Sequence, residues 1–178
     1  NRRVRRARRV ELGVNPPGPV DSRLRVIRID RATAAPGRPP LALIVHYACH
    51  ATTSGGVSKI SADWPGAMRA TLQRVYGETG DAPLVCFLQG CTGDVTHRVG
   101  RDREAWPRHF GESTSLQSNI LGRLVAGAAL SASERSVDVS AEAAQTAVEP
   151  VELSFRDSQG SEATEIQVVR VGSASGSD

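Results

Sequence analysis

The stretch LALIVHYACHATTS, Leu41 to Ser54, decides how the rest of the chain is read. Its first eight residues, Leu41–Ala48, form a short apolar run of the length expected for a buried central strand. The run then gives way to small and polar residues: Cys49, His50, Ala51, Thr52, Thr53, Ser54. A second stretch, CFLQGCTGDVTHR from Cys86 to Arg98, repeats the arrangement, with the apolar run Leu84–Leu88 opening onto Gly90-Cys91-Thr92-Gly93-Asp94-Val95-Thr96. Two buried strands ending in polar loops are where an α/β sheet usually carries its chemistry.

Between them lies ISADWPGAM, Ile60 to Met68. Asp63 before Trp64-Pro65 reads as an N-cap region, with proline in the first turn. The spacing of Met68, Leu72, Val75 and Tyr76 predicts a helix over about 65–76, stopped by Gly77 and Gly80. Leu116, Ile120, Leu121, Leu124, Val125 and Ala128 predict a second helix over about 115–132. Further strands are expected at 23–31, around Val137 and Val139, over Val148–Phe155 and over Ile166–Val171. Residues 1–22, with Asn15-Pro16-Pro17-Gly18-Pro19, read as irregular. The charged segment over about 91–113 reads as a long loop. The order points to an α/β fold with a mixed sheet sandwiched by helices.

With 178 residues and 39% apolar side chains, the chain can build one core and is not compositionally disordered. No apolar run reaches the length of a membrane span. The formal charge is +3. Six arginines crowd residues 1–9; the other 16 cationic side chains face 19 acids, so the remainder is at −3. No aromatic residue interleaves those arginines as a base-stacking platform. A solvated arm is therefore preferred to a nucleic-acid contact. Cys49, Cys86 and Cys91 fit no zinc-ribbon spacing and read as small buried hydrophobes. The chain starts at Asn1 and holds a single methionine, Met68, so it reads as a piece of a longer protein.

His46 and His50 would share one face of a helix, but on a strand they stand about 13 Å apart. One metal ion cannot take both. His50, beyond the strand end, is the candidate ligand; His46 reads as structural. Asp63 has two readings, a helix cap or a carboxylate that orients a metal-bound histidine. Gly90 and Gly93 allow positive φ or close backbone approach, and the turn amides could cradle an oxyanion. Thr96 offers a hydroxyl. His97 points away from it on an extended segment, so the two do not form a ready nucleophile–base pair. His109, in the charged loop, is expected to be solvent-exposed. From the residues alone, both a hydrolase and a binding module remain open.

Several segments in order resemble the neutral/alkaline, non-lysosomal ceramidases and their bacterial relatives. They are Asn1-Arg2, Asn15-Pro16, Tyr47-Ala48-Cys49-His50, Ser61-Ala62-Asp63-Trp64-Pro65-Gly66 and Gly93-Asp94-Val95-Thr96-His97-Arg98. The resemblance implies a zinc amidase that hydrolyses the N-acyl bond of ceramide to sphingosine and fatty acid. It places His50 as a zinc ligand, Thr96 at the position of the family's serine nucleophile, and Arg2 as a catalytic residue on the substrate side, where it would help bind the amide oxygen as charge develops. Gly93 and Asp94, in the same motif as Thr96, are expected with Asp63 to bind the substrate or to support the residues that do. It also implies a lipid or small-molecule N-acyl substrate, peripheral membrane contact, and a secreted or envelope location. The family's serine is Thr96 here, and its Pro-Asn is His97-Arg98. The family's other zinc ligands, a histidine, a glutamate and a tyrosine, have no matching motif in the chain. The chain is thus expected to be the central part of one catalytic domain, truncated at both ends, that neither binds zinc tightly nor turns over substrate by itself. The alternative is a ceramidase-like fold that acts as a binding or envelope-associated module.

Overall fold

The two short apolar runs, at 41–48 and 84–88, lie side by side as parallel strands, as expected of runs that are apolar on both faces. The structure, a computed structural model, describes residues 3–6, 9–12, 15, 17–33, 37–54, 60–78, 80–97, 114–139, 144–154 and 160–171. Its elements are β1 (Arg3–Arg6), β2 (Arg9–Leu12), β3 (Arg25–Ile29), β4 (Ala42–Tyr47), α1 (Asp63–Gly77), β5 (Leu84–Gln89), α2 (Thr114–Ser133), β6 (Ala144–Ser154) and β7 (Ser161–Val171). They group into two compact units, Asn1–Ser136 and Val137–Asp178.

In the first unit β3, β4 and β5 form a mixed sheet in that order, with β3 antiparallel to β4 and β5 parallel to it. A parallel pair needs a crossover, and α1 supplies it. Register fixes the two faces. Leu43 pairs with Val85 and Val45 with Phe87, while Val26 lies opposite Val45. Leu43, Val45 and Val85 are buried on this face against Trp64, Met68, Leu72 and Tyr76 of α1, and against Leu121, Val125, Ala126 and Ala129 of α2. The α1 residues recur every fourth position, one stripe of a helix. Val75, expected in that stripe, is exposed, and Trp64 takes its share.

The sequence reading expects helices on both sides of the sheet. Both described helices instead cover one face, because they pack on each other as well as on the sheet. Ile27, Ile29, Leu84 and Leu88, on the opposite face, remain 40–64% exposed. The helices meet at Gly122. A Cβ there would stand 2.5 Å from the Ala67 Cβ and 2.7 Å from both the Met68 N and the Trp64 O. Only glycine permits this crossing.

Two further expectations are corrected. Residues 3–6 and 9–12 are not irregular: β1 and β2 pair antiparallel, with Val4 opposite Glu11 and Arg5 opposite Val10. Backbone ladders need no apolar face, so a run of arginines broken by valines can pair. Val137 and Val139 lie in no strand and are exposed; two valines carry too little apolar surface to fix a pairing. In the second unit β6 and β7 pair over eleven positions, longer than the apolar residues alone suggest. No described helix is long and apolar enough to cross a membrane.

Candidate functional site

Because β4 and β5 run parallel, the loops beyond them leave the same edge of the sheet. The loops stay in contact. The Gly90 N–H donates to the Tyr47 carbonyl at 3.1 Å. A Cβ on Gly90 would come within 2.9–3.1 Å of the Ala48 Cβ, Cα and N. Gly90 is therefore the glycine that close approach demands. Gly93, exposed on the turn, has nothing within 4 Å of where its Cβ would sit.

Past the strands, His50 and Thr96 form one more parallel bridge, and the His50 N–H donates to the Val95 carbonyl at 3.3 Å. The His50 Nδ1 lies 2.6 Å from the Thr92 carbonyl oxygen. A carbonyl only accepts, so Nδ1 is the donor, and in the neutral imidazole Nε2 then carries the lone pair. Metal-ligating histidines are oriented in this way, by a hydrogen bond from the second ring nitrogen. The His50 carbonyl accepts from the Trp64 Nε1 at 3.2 Å. The Trp64 ring meets Phe87 edge-on at 4.9 Å and Tyr47 at 6.2 Å. The histidine thus stands on an aromatic base shared by β4, β5 and α1.

Thr52 and Thr96 bring their hydroxyls to 3.2 Å across the two loops. Thr53, next in the chain, faces the other way. It is buried, with its Oγ1 2.5 Å from the Asp63 Oδ1 and 2.6 Å from the Ser118 Oγ of α2. The Ser54 N–H donates to the Asp63 Oδ2 at 2.6 Å, and its Oγ lies 2.9 Å from the Ser118 Oγ. Asp63 has φ 51°, in the left-handed region that aspartate and asparagine tolerate better than most residues. It also accepts from the Trp64 N–H at 2.7 Å.

Asp63 therefore differs from the expected helix cap. The cap position is Ala62, without a side-chain bond, and Asp63 is the first helical residue. Its carboxylate ties the loop after β4 to the start of α1, while the described partner of the His50 Nδ1 is the Thr92 carbonyl. Burial pushes the Asp63 carboxyl up, but the hydrogen bonds from Thr53, Trp64 and Ser54 outweigh it and hold it below the ordinary value.

Of the residues singled out in the sequence, His50, Thr96 and Asp63 lie around these two loops. Gly93 and Asp94 lie on the turn above Thr92. Asp94 helps line an open cleft of about 560 Å³ with Cys91, Val95, Asp21 and Arg23. His97 is buried. His46 stays on β4, its Nδ1 3.3 Å from the Arg25 Nη1, as a strand histidine. Arg2 and His109 lie outside the described residues. Cys49 is buried, but Cys86 and Cys91 are exposed, because they sit on the uncovered sheet face and on the loop.

Sequence reasoning missed Thr52, Thr53 and Ser118 as partners. The signal for Ser118 is a serine four residues before Gly122, on the face shared with Leu121 and Val125. Among the described residues no group of three or more His, Cys, Asp or Glu is placed to hold a metal ion. No protein-family model, no curated protein and no solved structure matches the chain.

Proposed function

We propose that the chain is part of a hydrolase of amide (N-acyl) bonds, a relative of the neutral ceramidases, in which His50 is one ligand of a catalytic zinc. The observation that supports this reading is the Nδ1–H of His50 held on the Thr92 carbonyl, which sets the neutral tautomer whose Nε2 bears the lone pair, the tautomer a metal-bound histidine of this kind would use. The fit is to one ligand position. The described residues do not complete a zinc site, which needs three protein ligands. A bound zinc would supply Lewis acidity toward the substrate carbonyl and toward water.

What this chain itself supplies is position. The parallel strands and Gly90 fix the two loops, Thr92 fixes the imidazole, and Asp63 with Ser118 fixes the loop that carries it. The Thr96 hydroxyl, on the residue bridged to His50, would be the group that meets the reacting carbonyl if a metal were held there. Arg2, Asp94 and Gly93 are proposed on the substrate side, and the substrate is a lipid or other N-acyl compound.

The test uses the full-length protein. His50→Ala is expected to lose bound zinc, measured by elemental analysis, together with hydrolysis of N-acyl amides; His46→Ala keeps both. A full-length protein without zinc, or a His50→Ala variant of unchanged turnover, overturns the reading. Binding of N-acyl compounds without hydrolysis would establish the binding-module alternative instead.

A further inference from the structure

Thr52 and Thr53 are consecutive, and their side chains serve opposite sides of the loop. Thr53 and Ser54 are anchored inward on Asp63 and Ser118. Thr52 is braced from before by its own N–H, which donates to the His50 carbonyl at 3.0 Å. Its hydroxyl has one described partner, the Thr96 hydroxyl. Both threonines are half-buried.

A threonine carries two γ substituents of similar size, a hydroxyl and a methyl, and its χ1 falls into staggered wells. Turning χ1 by one well can bring the methyl to the place the hydroxyl held. Sterics distinguish the two weakly, whereas a hydrogen bond distinguishes them outright. We infer that Thr52 is a positioning residue for Thr96: its hydroxyl, held by the anchored loop, selects the Thr96 rotamer that turns Oγ1 and not Cγ2 toward the loop bearing His50. The part Thr96 plays in hydrolysis rests on the function proposed above; the rotamer selection does not.

Two measurements separate these. In the chain itself, three-bond couplings to the Thr96 methyl carbon report χ1. Wild type and Thr52→Ser are expected to show a single Thr96 rotamer, and Thr52→Val, which keeps the shape without the hydroxyl, an average of two. An unchanged Thr96 rotamer in Thr52→Val overturns the inference. So does averaging in Thr52→Ser as well, because the methyl and not the hydroxyl would then decide. In the full-length protein, Thr52→Val is expected to lower kcat about tenfold, the scale of one lost hydrogen bond, with KM almost unchanged. Thr52→Ser restores the rate, and Thr52→Val adds nothing in a Thr96→Ala background. A full-length protein that hydrolyses no N-acyl amide while the couplings behave as expected removes the proposed function and leaves the selection standing. Turnover that is normal in Thr52→Val removes the role in catalysis.

Discussion

Near the start of β4, Arg28 donates to Glu134 at 2.8 Å and to Asp30 at 2.9 Å, and the Tyr76 hydroxyl donates to the same Glu134 at 2.8 Å. Beyond the far end of β4, Asp63 accepts from Thr53, Ser54 and Trp64, all neutral donors. Each network ties β-structure to both helices. The first pairs its carboxylates with a cation, Arg28, and stands open to solvent at Asp30 and Glu134. The second keeps a carboxylate whose described partners carry no formal charge, beside an oriented imidazole and two hydroxyls. The two ends of the sheet thus differ in whether a carboxylate is met by a cation or by neutral donors.

The largest expected effect lies at the site end, where Gly122 lets α2 approach α1. The atoms that an added Cβ would meet include backbone of Trp64 and Met68, which cannot rotate away. Gly122→Ala is expected to cost about 3 kcal/mol, the upper end of the usual overpacking range. Urea unfolding measures it. Ser118 lies one turn earlier on the same face, so the variant should also weaken the Ser118–Thr53 contact, seen as faster hydrogen exchange in residues 52–54. A loss below about 0.5 kcal/mol would show that the helices can separate freely there.

Next comes Asp63. Asn keeps the left-handed backbone accessible and the shape, but turns one acceptor into a donor facing a donor. Asp63→Asn is expected to cost about 1–2 kcal/mol at pH 7, since hydrogen bonds to a charged group are stronger than neutral ones but this carboxylate is only half-buried. Its depressed pKa sets the sign of the pH dependence. The contribution is present above the unfolded value, near 3.9, and is lost as pH falls through the folded one. The gap between wild type and Asp63→Asn should therefore close below about pH 4. A gap that is constant from pH 7 to pH 3 would mean that shape, not charge, holds the loop.

The charge-paired end should respond less. Tyr76→Phe and Glu134→Gln are each expected to cost about 1 kcal/mol or less, because Glu134 is solvent-exposed and a surface ion pair is screened. Raising NaCl to about 0.5 M should shrink the Glu134→Gln effect and leave the Asp63→Asn effect larger, since the partners of Asp63 are neutral. Equal salt dependence at both ends would erase the distinction between them.

The elements on which this contrast stands were readable from residue order. Apolar runs at 41–48 and 84–88 and the stripe of Met68, Leu72 and Tyr76 have unmistakable periods. His50 was readable because polarity begins abruptly after an apolar run. The partners were not. The bond from His50 Nδ1 goes to a backbone carbonyl, which every residue owns, so no side chain at position 92 announces it. Ser118 is 64 residues from Ser54, and no local pattern connects them. Arg28 and Glu134 are more distant still, and charged residues at a strand and a helix end ordinarily read as solvated. The β1–β2 pairing was missed because arginine is an unusual strand residue whose pairing depends on backbone geometry. Both helices settling on one face reflects the Gly122 crossing, which sequence spacing cannot reveal.

The smallest expected effect concerns reactivity, with stability unchanged at neutral pH. Cys49 lies one residue before His50, buried, and burial together with the Asp63 charge pushes its thiol up to about 11. The folded state therefore holds the thiol proton more tightly than the unfolded chain, whose thiols ionise near 8.5. Its stabilising contribution is present below that value and is lost as pH rises from about 9 to about 11. At pH 8 the native chain exposed to iodoacetamide should be alkylated at Cys86 and Cys91 while Cys49 stays unmodified, read by peptide mass spectrometry. Asp63→Asn removes the nearby negative charge but not the burial, so it should speed Cys49 alkylation only slightly. A large acceleration would mean that the carboxylate network, more than the packing on Trp64 and Tyr47, closes the site end against solvent. Cys49 reacting as fast as Cys91 in wild type would mean that this end is as open to solvent as the charge-paired end at Arg28, and the contrast between them would then be one of partner charge alone.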